Sequence, residues 1–399
     1  MTKQVQDAYI VAATRTPVGK APRGTLRSVR PDDLLVHALR ALVARVPKLD
    51  PALIEDVIVG CAMPEGEQGA NVARTAVLLA GLPNSVGGVT VNRFCASGTT
   101  ALAMAADRIR VGEADVMIAA GTESMSRVPM GGHTPSLNPN VLLRDENLGI
   151  AFGMGITAEK VAERWKVSRG DQDAFALASH QKAIRAREAG AFEAELAPIE
   201  FEERAPNLAT GELQVQKRRL AFDEGPRADT SLEVLAKLKP AFAAKGSVTA
   251  GNSSQMSDGA GAVLLASETV VKRYDLTPLA RFVSFAVRGV PPEVMGIGPK
   301  EAIPAALAIA GLSLADLDWI ELNEAFAAQA LAVMRELGLN PELVNPLGGA
   351  IALGHPLGAT GAIRAATLAH GLRRTHRKYG MVTMCVGTGM GAAAILERV

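Results

Sequence analysis

Two of the three cysteines in this 399-residue chain stand where a thiol can take part in chemistry. Cys95 follows an extended segment that ends near Val91 and precedes an apolar helical pattern that runs from Thr99, with Ser97 as a candidate helix cap. The unpaired N–H groups and positive dipole end of a helix start favour the thiolate, which is the nucleophilic form. A lone buried cysteine is more often a small hydrophobe, so a structural role stays open at this point.

Three further side chains have types that suit acyl chemistry. Cys385 precedes a glycine-rich segment, residues 387–391, whose backbone N–H groups can approach an oxyanion. His355 lies in a second glycine-rich loop and is a candidate base for a thiol. Asn323 ends an apolar stretch and offers a neutral amide donor. Each also has a structural interpretation, and spacing alone does not show that the four residues converge.

The elements that must position these residues alternate between strands and helices. A helix is predicted to begin at Pro31, and short apolar strands are predicted at residues 57–59 and 116–120. The alternation resumes after residue 249 and indicates parallel α/β architecture, in which sites lie at the carboxyl ends of strands. Cys95 is predicted to lie at such an end.

Residues 122–248 differ from the rest in composition and in apolar periodicity, and they are predicted to form an inserted loop domain. Residues 127–157 are rich in glycine, proline, asparagine and methionine, and two helices follow, near residues 158–165 and from Ser168. Residues 200–230 are polar and are predicted to be irregular. They contain the basic run at residues 217–219, which is interpreted either as a solvated face or as a contact for a ligand phosphate.

The two parts that flank the insertion repeat the same order of predicted elements: strand, loop and helix. Each places a cysteine just after an apolar strand, Cys95 in the first part and Cys385 in the second. This is a weak indication of internal duplication. The glycine-rich stretch at residues 348–361 does not match a phosphate-binding loop, because it lacks the lysine of that motif and the spacing of the dinucleotide fingerprint.

The composition excludes several classes of protein. The 42 Lys and Arg residues nearly balance the 41 Asp and Glu residues, and aromatic residues make up 4% of the chain, so no nucleic-acid partner is predicted. The sparse, odd number of cysteines predicts reduced thiols in an intracellular protein. No zinc-type ligand spacing occurs, so no metal is predicted.

No targeting signal is predicted at either end of the sequence. The first residues lead almost at once into a strand-like segment at residues 8–12, and the final residues 396–399 are not a peroxisomal tripeptide. No apolar run approaches the ~18 residues that span a bilayer. The expected location is the cytoplasm, with no membrane span.

Five segments, in this order and at these separations, resemble the motifs of the thiolases, and most closely those of the degradative 3-ketoacyl-CoA thiolases. The segments are VNRFCASGTTAL, GNSSQMSDGAG, NEAFA, GGAIALGHPLGATG and CVGTGMG. The resemblance extends over essentially the whole chain. It implies a five-layer αβαβα fold of two similar halves, one formed by residues 1–121 and 249–275 and the other by residues 276–399. The loop domain at 122–248 would bind substrate and CoA and make oligomer contacts.

The resemblance also assigns roles to individual positions. Cys95 matches the nucleophile that carries the acyl group, and His355 matches the histidine that activates it and helps to hold an oxyanion. Cys385 matches the second acid and base, and Asn323 matches the asparagine that orients a water in the first oxyanion hole. The N–H groups of Cys95 and Gly387 would form the second hole.

Two further positions are assigned as CoA contacts. Ser254 matches a serine next to the pantetheine arm, and Arg227 lies in the region that meets the nucleotide end, which is a looser match. CoA is expected as a co-substrate, with no permanently bound cofactor and no metal.

The implied reaction is CoA-dependent cleavage of 3-ketoacyl-CoA to acetyl-CoA and a shortened acyl-CoA, in fatty acid β-oxidation. A covalent acyl-enzyme implies ping-pong kinetics. A homodimer or homotetramer is expected, and a β-oxidation multienzyme complex is a candidate partner.

One departure from the family bears on substrate length. Short-chain biosynthetic thiolases carry a histidine where this chain has Gly153, and the exchange favours a longer acyl group. Three alternatives remain open: an acetoacetyl-CoA thiolase, a Cys–His condensing enzyme that uses acyl carriers, and a non-catalytic acyl-CoA or lipid carrier. A carrier could lose Cys95, His355 or Cys385, and a condensing enzyme would not need Cys385.

Overall fold

The fold is described from a computed structural model that covers residues 5–399. Its strands alternate with helices over most of the chain, as the sequence pattern predicts. The strands are β1 (Ala8–Arg15), β2 (Gly19–Lys20), β3 (Asp56–Gly60), β4 (Val89–Val91), β5 (Val116–Ser124), β6 (Ile199–Pro206), β7 (Leu213–Leu220), β8 (Ser257–Ser267), β9 (Ala280–Gly289), β10 (Trp319–Leu322), β11 (Tyr379–Val386) and β12 (Met390–Glu397).

The helices begin and end mainly at the predicted signals. They are α1 (Pro31–Ala44), α2 (Val72–Ala80), α3 (Ser97–Arg110), α4 (Met154–Arg164), α5 (Arg169–Glu188), α6 (Leu232–Ala236), α7 (Glu268–Arg273), α8 (Gly298–Ala310), α9 (Ala327–Leu337), α10 (Ala350–Leu353) and α11 (Thr360–Thr375). Pro31 opens α1, and Ser168 caps α5 by accepting a hydrogen bond from the Asp171 N–H. The helix predicted from residue 158 begins four residues earlier, at Met154.

Apart from β6 and β7, the strands form one continuous mixed sheet, in the order β10-β11-β12-β9-β1-β8-β5-β3-β4, and β2 pairs with β8. The prediction of a parallel sheet is therefore only partly right. The pairs β3–β4, β3–β5 and β10–β11 are parallel, whereas β8, β9 and β12 pair with their neighbours in the antiparallel sense. Among the antiparallel neighbours in this sheet, β11 and β12 form a hairpin through residues 387–389, whereas the others are far apart in the chain, so periodicity alone does not show their direction.

Helices and sheet form five layers around three main apolar cores. Helices α1 and α2 pack on one face of the β1, β3, β5 and β8 region, and α8 and α9 pack on the outer face of β9 to β12. Helices α3 and α11 are buried between the two parts of the sheet. The outer helices expose one face to solvent, whereas the central pair packs against sheet on both sides.

The two halves repeat the same order of elements. In the first half β3 pairs parallel with β5, which pairs antiparallel with β8, and in the second half β10, β11 and β12 repeat that pattern. Helix α3 precedes β5 just as α11 precedes β11. The duplication therefore relates Cys95, just before α3, to His355, just before α11. The duplication is confirmed, but the prediction that Cys385 follows a strand was wrong, because Cys385 lies inside β11 and so does not correspond in position to Cys95.

The segment between β5 and β8 holds α4, α5, α6 and a two-stranded sheet. The prediction that residues 200–230 are irregular was wrong for residues 200–206 and 213–220, where β6 and β7 form an antiparallel hairpin. Most hairpin side chains are polar and exposed, and apolar residues alternate with polar ones only over residues 199–202 and 213–216, so the strand pattern is short. The division of the chain at residues 121, 248 and 275 stays a prediction, and residues 1–4 of its first part lie outside the described range.

Strand β5 extends further than predicted and continues through Ser124. Strand β8 begins at Ser257, inside the GNSSQMSDGAG motif. Within residues 5–399, no helix is both long enough and apolar enough to cross a membrane.

Candidate active site

Cys95 lies in a single 3-10 turn, Phe94–Ala96, that joins β4 to α3. Phe94 has a positive φ of 45°, which turns the chain sharply just before the cysteine. Ser97 does not cap α3 as predicted: its hydroxyl donates to the Phe94 carbonyl at 2.7 Å and accepts from the Arg93 N–H at 2.8 Å. Ser97 instead fixes the turn that carries Cys95.

The turn with Cys95 packs against both β11 and the 3-10 turn Leu357–Ala359, which follows His355. Glycines allow this approach, because a β-carbon on Gly361 would lie 2.1 Å from the Thr99 nitrogen and one on Gly98 would lie 2.6 Å from the Ala362 nitrogen. The starts of α3 and α11 therefore meet, and they bring together residues that are far apart in the chain.

His355 is held by three contacts. Its backbone N–H donates to Ser257 Oγ at 3.0 Å, Nδ1 lies 2.6 Å from Thr360 Oγ1, and Nε2 lies 3.2 Å from Asn323 Nδ2. The preceding Gly354 has φ of +93°, and a β-carbon there would lie 2.7 Å from Ser257 Oγ. The loop is therefore built to fix the orientation of the imidazole.

Asn323 and Cys385 come from neighbouring parallel strands. The Asn323 N–H donates to the Thr383 carbonyl at 2.9 Å, which extends the β10–β11 pairing beyond Leu322 and brings Asn323 to the end of β11 that carries Cys385. Asn323 Oδ1 is buried and has no partner among the described residues. This oxygen can accept a hydrogen bond from a water or a ligand.

Cys95, His355 and Cys385 line one cavity of about 720 Å³. Its remaining wall is mostly apolar and includes five methionines and two phenylalanines: Met125, Met130, Met154, Met256, Met295, Phe242 and Phe326. Ser254 and Gly153 line the same cavity. The volume and lining suit an apolar acyl chain with a thioester at the polar end.

The structure does not support the prediction that Cys95 rests as a thiolate. Burial raises the pKa of the Cys95 thiol to about 11, and the backbone N–H groups of Gly387 and of Cys95 itself lower that pKa only in part. Desolvation outweighs the helix start because Cys95 is only 8% exposed. The resting nucleophile is the thiol, and it needs a base.

The other two groups are also neutral at rest. Burial, reinforced by the nearby positive charge of Arg364, lowers the pKa of His355 to about 3. Burial, reinforced by Cys95, raises the pKa of Cys385 far above its usual range. At neutral pH the site thus holds one unprotonated imidazole nitrogen and two thiols that keep their protons.

Because Cys95 is a thiol at neutral pH, its alkylation rate is expected to depend on pH. Because the thiolate fraction below the pKa changes tenfold per pH unit, the iodoacetamide rate at Cys95 is expected to rise about tenfold per unit between about pH 6 and pH 9. Peptide mass spectrometry after timed quenching measures this rate. A plateau already at about pH 7 would instead indicate a resting thiolate.

Sequence reasoning missed Glu123, which lies at the end of β5. Its carboxylate accepts hydrogen bonds from the Gly358 N–H at 2.8 Å and the Ala62 N–H at 2.7 Å, so one buried group ties the His355 loop to the first half. Cys61, predicted to be a core residue, is fully buried beside it, with Sγ 3.9 Å from Oε1. The position of Glu123 near the end of a predicted strand was the feature of the sequence that could have indicated it.

Arg227 is not brought into the cavity. Its guanidinium pairs with Asp229, its N–H donates to His180 Nδ1 at 3.2 Å, and its side chain is 59% exposed. The basic run at residues 217–219 lies on β7 and lines a separate groove, where Arg218 and Arg219 pair with Glu203 and Glu200. Neither feature touches the three catalytic candidates.

Among residues 5–399, no group of three or more His, Cys, Asp or Glu side chains could hold a metal ion. Cys61, Cys95 and Cys385 are all free thiols.

Two family profiles together match nearly the whole chain. The profile described as "Thiolase, N-terminal domain" matches residues 8–269, and "Thiolase, C-terminal domain" matches residues 276–398. The 3-ketoacyl-CoA thiolase of Bacillus subtilis is 50% identical over 394 residues, which cover 98% of this chain and 100% of that protein.

Two solved structures are similar over nearly their full lengths. The acetyl-CoA acetyltransferase of Bacillus anthracis has a TM-score of 0.90 at 40% identity and covers 100% of both chains. The human mitochondrial 3-ketoacyl-CoA thiolase in complex with CoA has a TM-score of 0.87 at 39% identity and covers 99% of this chain and 98% of that chain. These neighbours confirm the predicted fold.

Proposed function

The chain belongs to the thiolase family, and from this premise we propose that it is an acetyl-CoA C-acyltransferase. It cleaves 3-ketoacyl-CoA with free CoA and forms acetyl-CoA and an acyl-CoA shortened by one two-carbon unit. The observation that carries the proposal is that Cys95, His355 and Cys385 line one apolar cavity.

In the first half-reaction Cys95 Sγ attacks the 3-keto carbon of the substrate. As the sulfur attacks, the thiol proton passes to His355 Nε2, the ring nitrogen that does not contact Thr360. The bond between carbons two and three then breaks, and the Cys385 thiol protonates the acetyl-CoA enolate that leaves. The enzyme retains an acyl group as a thioester on Cys95, together with a Cys385 thiolate.

In the second half-reaction the Cys385 thiolate takes the proton of incoming CoA. Its raised pKa makes it a strong base once it has formed. The CoA thiolate attacks the acyl group on Cys95, the Cys95 sulfur leaves, and it recovers the proton held by His355. Every proton is returned. The cycle is ping-pong because acetyl-CoA leaves before CoA binds, with acyl-Cys95 as the intermediate.

Two sets of donors serve the two oxyanions. Asn323 lies 3.2 Å from His355 Nε2 and has a free, buried Oδ1, which supports its role in orienting a water beside the first oxyanion. The N–H groups of Cys95 and Gly387 both face the Cys95 sulfur, which supports a second hole for the thioester oxygen. Two holes are needed because charge develops on different oxygens in the two halves.

The CoA contacts are supported to different degrees. Ser254 lines the cavity that holds Cys95, which supports a place beside the pantetheine arm. Arg227 lies outside that cavity, so its support is limited to its exposed guanidinium, which a nucleotide phosphate can reach. CoA is a co-substrate in this proposal, and no resident cofactor takes part.

The wider setting is also part of the proposal. We assign the reaction to fatty acid β-oxidation in the cytoplasm, with a homodimer or homotetramer as the working form and a β-oxidation complex as a candidate partner. The free thiols of the chain support the location, and the name of the Bacillus subtilis relative, 3-ketoacyl-CoA thiolase, supports the reaction.

An acetoacetyl-CoA thiolase remains the second candidate because the Bacillus anthracis structure is an acetyl-CoA acetyltransferase. Thiolysis assays with substrates from acetoacetyl-CoA to a long-chain 3-ketoacyl-CoA separate the two. Higher kcat/KM for the longer substrates supports the proposal, whereas activity confined to acetoacetyl-CoA supports the second candidate. A chain that binds acyl-CoA but cleaves none of these substrates would be a carrier.

Gly153 is expected to control acyl length. It lines the cavity, its φ of −58° suits any residue, and a β-carbon there meets nothing within 4 Å. In Gly153→Leu the new side chain would occupy space that an acyl chain needs. We expect kcat/KM for 3-oxododecanoyl-CoA to fall at least about tenfold relative to acetoacetyl-CoA, because several buried methylenes lose their contacts.

The matched control is Gly170→Leu, at an open position in α5 outside the cavity, where the nearest atom to a β-carbon is Ser168 Oγ at 3.9 Å. It should keep the wild-type length profile. An unchanged profile in Gly153→Leu would show that the acyl chain lies elsewhere.

A further inference from the structure

We propose that Thr360 is a positioning residue of the reaction, whose hydroxyl fixes the tautomer and ring orientation of His355. The inference rests on the proposed function of His355 as the base for Cys95. Thr360 itself does not line the cavity and acts through the imidazole.

Thr360 is well placed to hold the ring. Its Oγ1 lies 2.6 Å from His355 Nδ1, and the residue is 1% exposed. It is the first residue of α11, and its backbone N–H donates to the Pro356 carbonyl at 3.1 Å. The imidazole and the hydroxyl therefore belong to one closed turn at the start of a central helix.

The second neighbour of the ring decides which nitrogen carries the proton. A neutral imidazole has one N–H, and an amide NH₂ group can only donate. Because Asn323 Nδ2 lies 3.2 Å from Nε2, Nε2 presents its lone pair and Nδ1 carries the proton that it donates to Thr360 Oγ1. This is the tautomer that a base acting through Nε2 requires.

Because His355 is buried, its tautomer determines which ring nitrogen can act as a base. Since burial lowers the pKa of His355 to about 3, the ring is neutral and only one of its nitrogens is available as a base. Without the hydroxyl, the Nδ1–H group would be buried with no acceptor among the described residues. The ring would then favour the other tautomer or rotate, and Nε2 would no longer accept the Cys95 proton.

Three variants test the proposal by steady-state thiolysis. Thr360→Val keeps the shape of the side chain and removes the hydroxyl, and Thr360→Ser restores the hydroxyl. Thr367→Val is the control, because Thr367 is a buried threonine of the same helix whose hydroxyl lies 2.8 Å from Glu195 Oε1.

Thr360→Val is expected to lower kcat about 10- to 100-fold and to leave KM within about twofold, by analogy with other partners that orient a histidine. Thr360→Ser should recover most of kcat, and Thr367→Val should keep the wild-type kcat. A wild-type kcat in Thr360→Val would overturn the proposal. An equal loss in the valine and serine variants would also overturn it, because the role would then be packing.

A measurement on the wild-type protein covers the case in which Thr360→Val does not fold. The ¹⁵N spectrum of histidine-labelled protein at neutral pH, assigned with His355→Ala, reports which ring nitrogen is protonated. Protonation at Nδ1 supports the proposal and protonation at Nε2 overturns it. Absence of thiolysis in the wild type would instead overturn the proposed function, and the spectrum would still test the contact.

Discussion

Cys95→Ala is expected to abolish thiolysis, with a loss of at least ~10⁴-fold in kcat, because it removes the sulfur that carries the acyl group in the proposed mechanism. The substitution removes one sulfur from a wall that is mostly apolar, so the affinity for acyl-CoA should be unchanged. Steady-state assays measure the first effect, and isothermal titration calorimetry with a non-cleavable acyl-CoA measures the second.

Cys61→Ser is the matched control, because Cys61 is also a buried free thiol but lies outside the cavity. It should keep wild-type turnover. Turnover retained in Cys95→Ala would remove the assignment of the nucleophile, and turnover lost equally in Cys61→Ser would show that the assay reports folding.

Cys385→Ala is expected to lower kcat by about 10³- to 10⁴-fold, because the variant can neither protonate the departing enolate nor deprotonate CoA. Cys95 and His355 remain in place, so the nucleophile itself should still be competent. Cys385 is fully buried in an apolar cluster with Met295 and Phe326, where alanine leaves a small cavity and costs some stability.

An activated ester separates the chemical role of Cys385 from a structural one. The leaving group of p-nitrophenyl acetate needs no proton, so Cys385→Ala should still acetylate Cys95 and release one equivalent of p-nitrophenol in a burst. Cys95→Ala should show no burst. If Cys385→Ala also fails to acetylate Cys95, then Cys385 supports the geometry of the site rather than proton transfer.

Much of the fold was predictable because local signals and global structure agree. Pro31 begins α1, Ser168 caps α5 and Gly338 ends α9, as residue chemistry requires. The hairpin of β6 and β7 was missed because its strands are mostly polar and exposed, so the apolar alternation that marks a strand is confined to a few residues.

The site was predicted as a set of residues rather than as a geometry. Motif order could indicate Cys95, His355, Cys385 and Asn323, but it could not show that the starts of α3 and α11 meet through Gly98 and Gly361. The protonation state of Cys95 was also out of reach, since it depends on burial and not on position at a helix start. Contacts such as Glu123 to Gly358 join residues with no sequence relationship.

The central claim, that Cys95 takes the acyl group while Cys385 serves only as acid and base, is tested most directly by trapping the intermediate. Wild-type protein is mixed with one equivalent of 3-oxooctanoyl-CoA without free CoA, quenched in acid, digested and analysed by mass spectrometry. The account predicts a hexanoyl group on the Cys95 peptide and an equal amount of released acetyl-CoA. A hexanoyl group on Cys385, or acetyl-CoA released with no acylated cysteine, would contradict it.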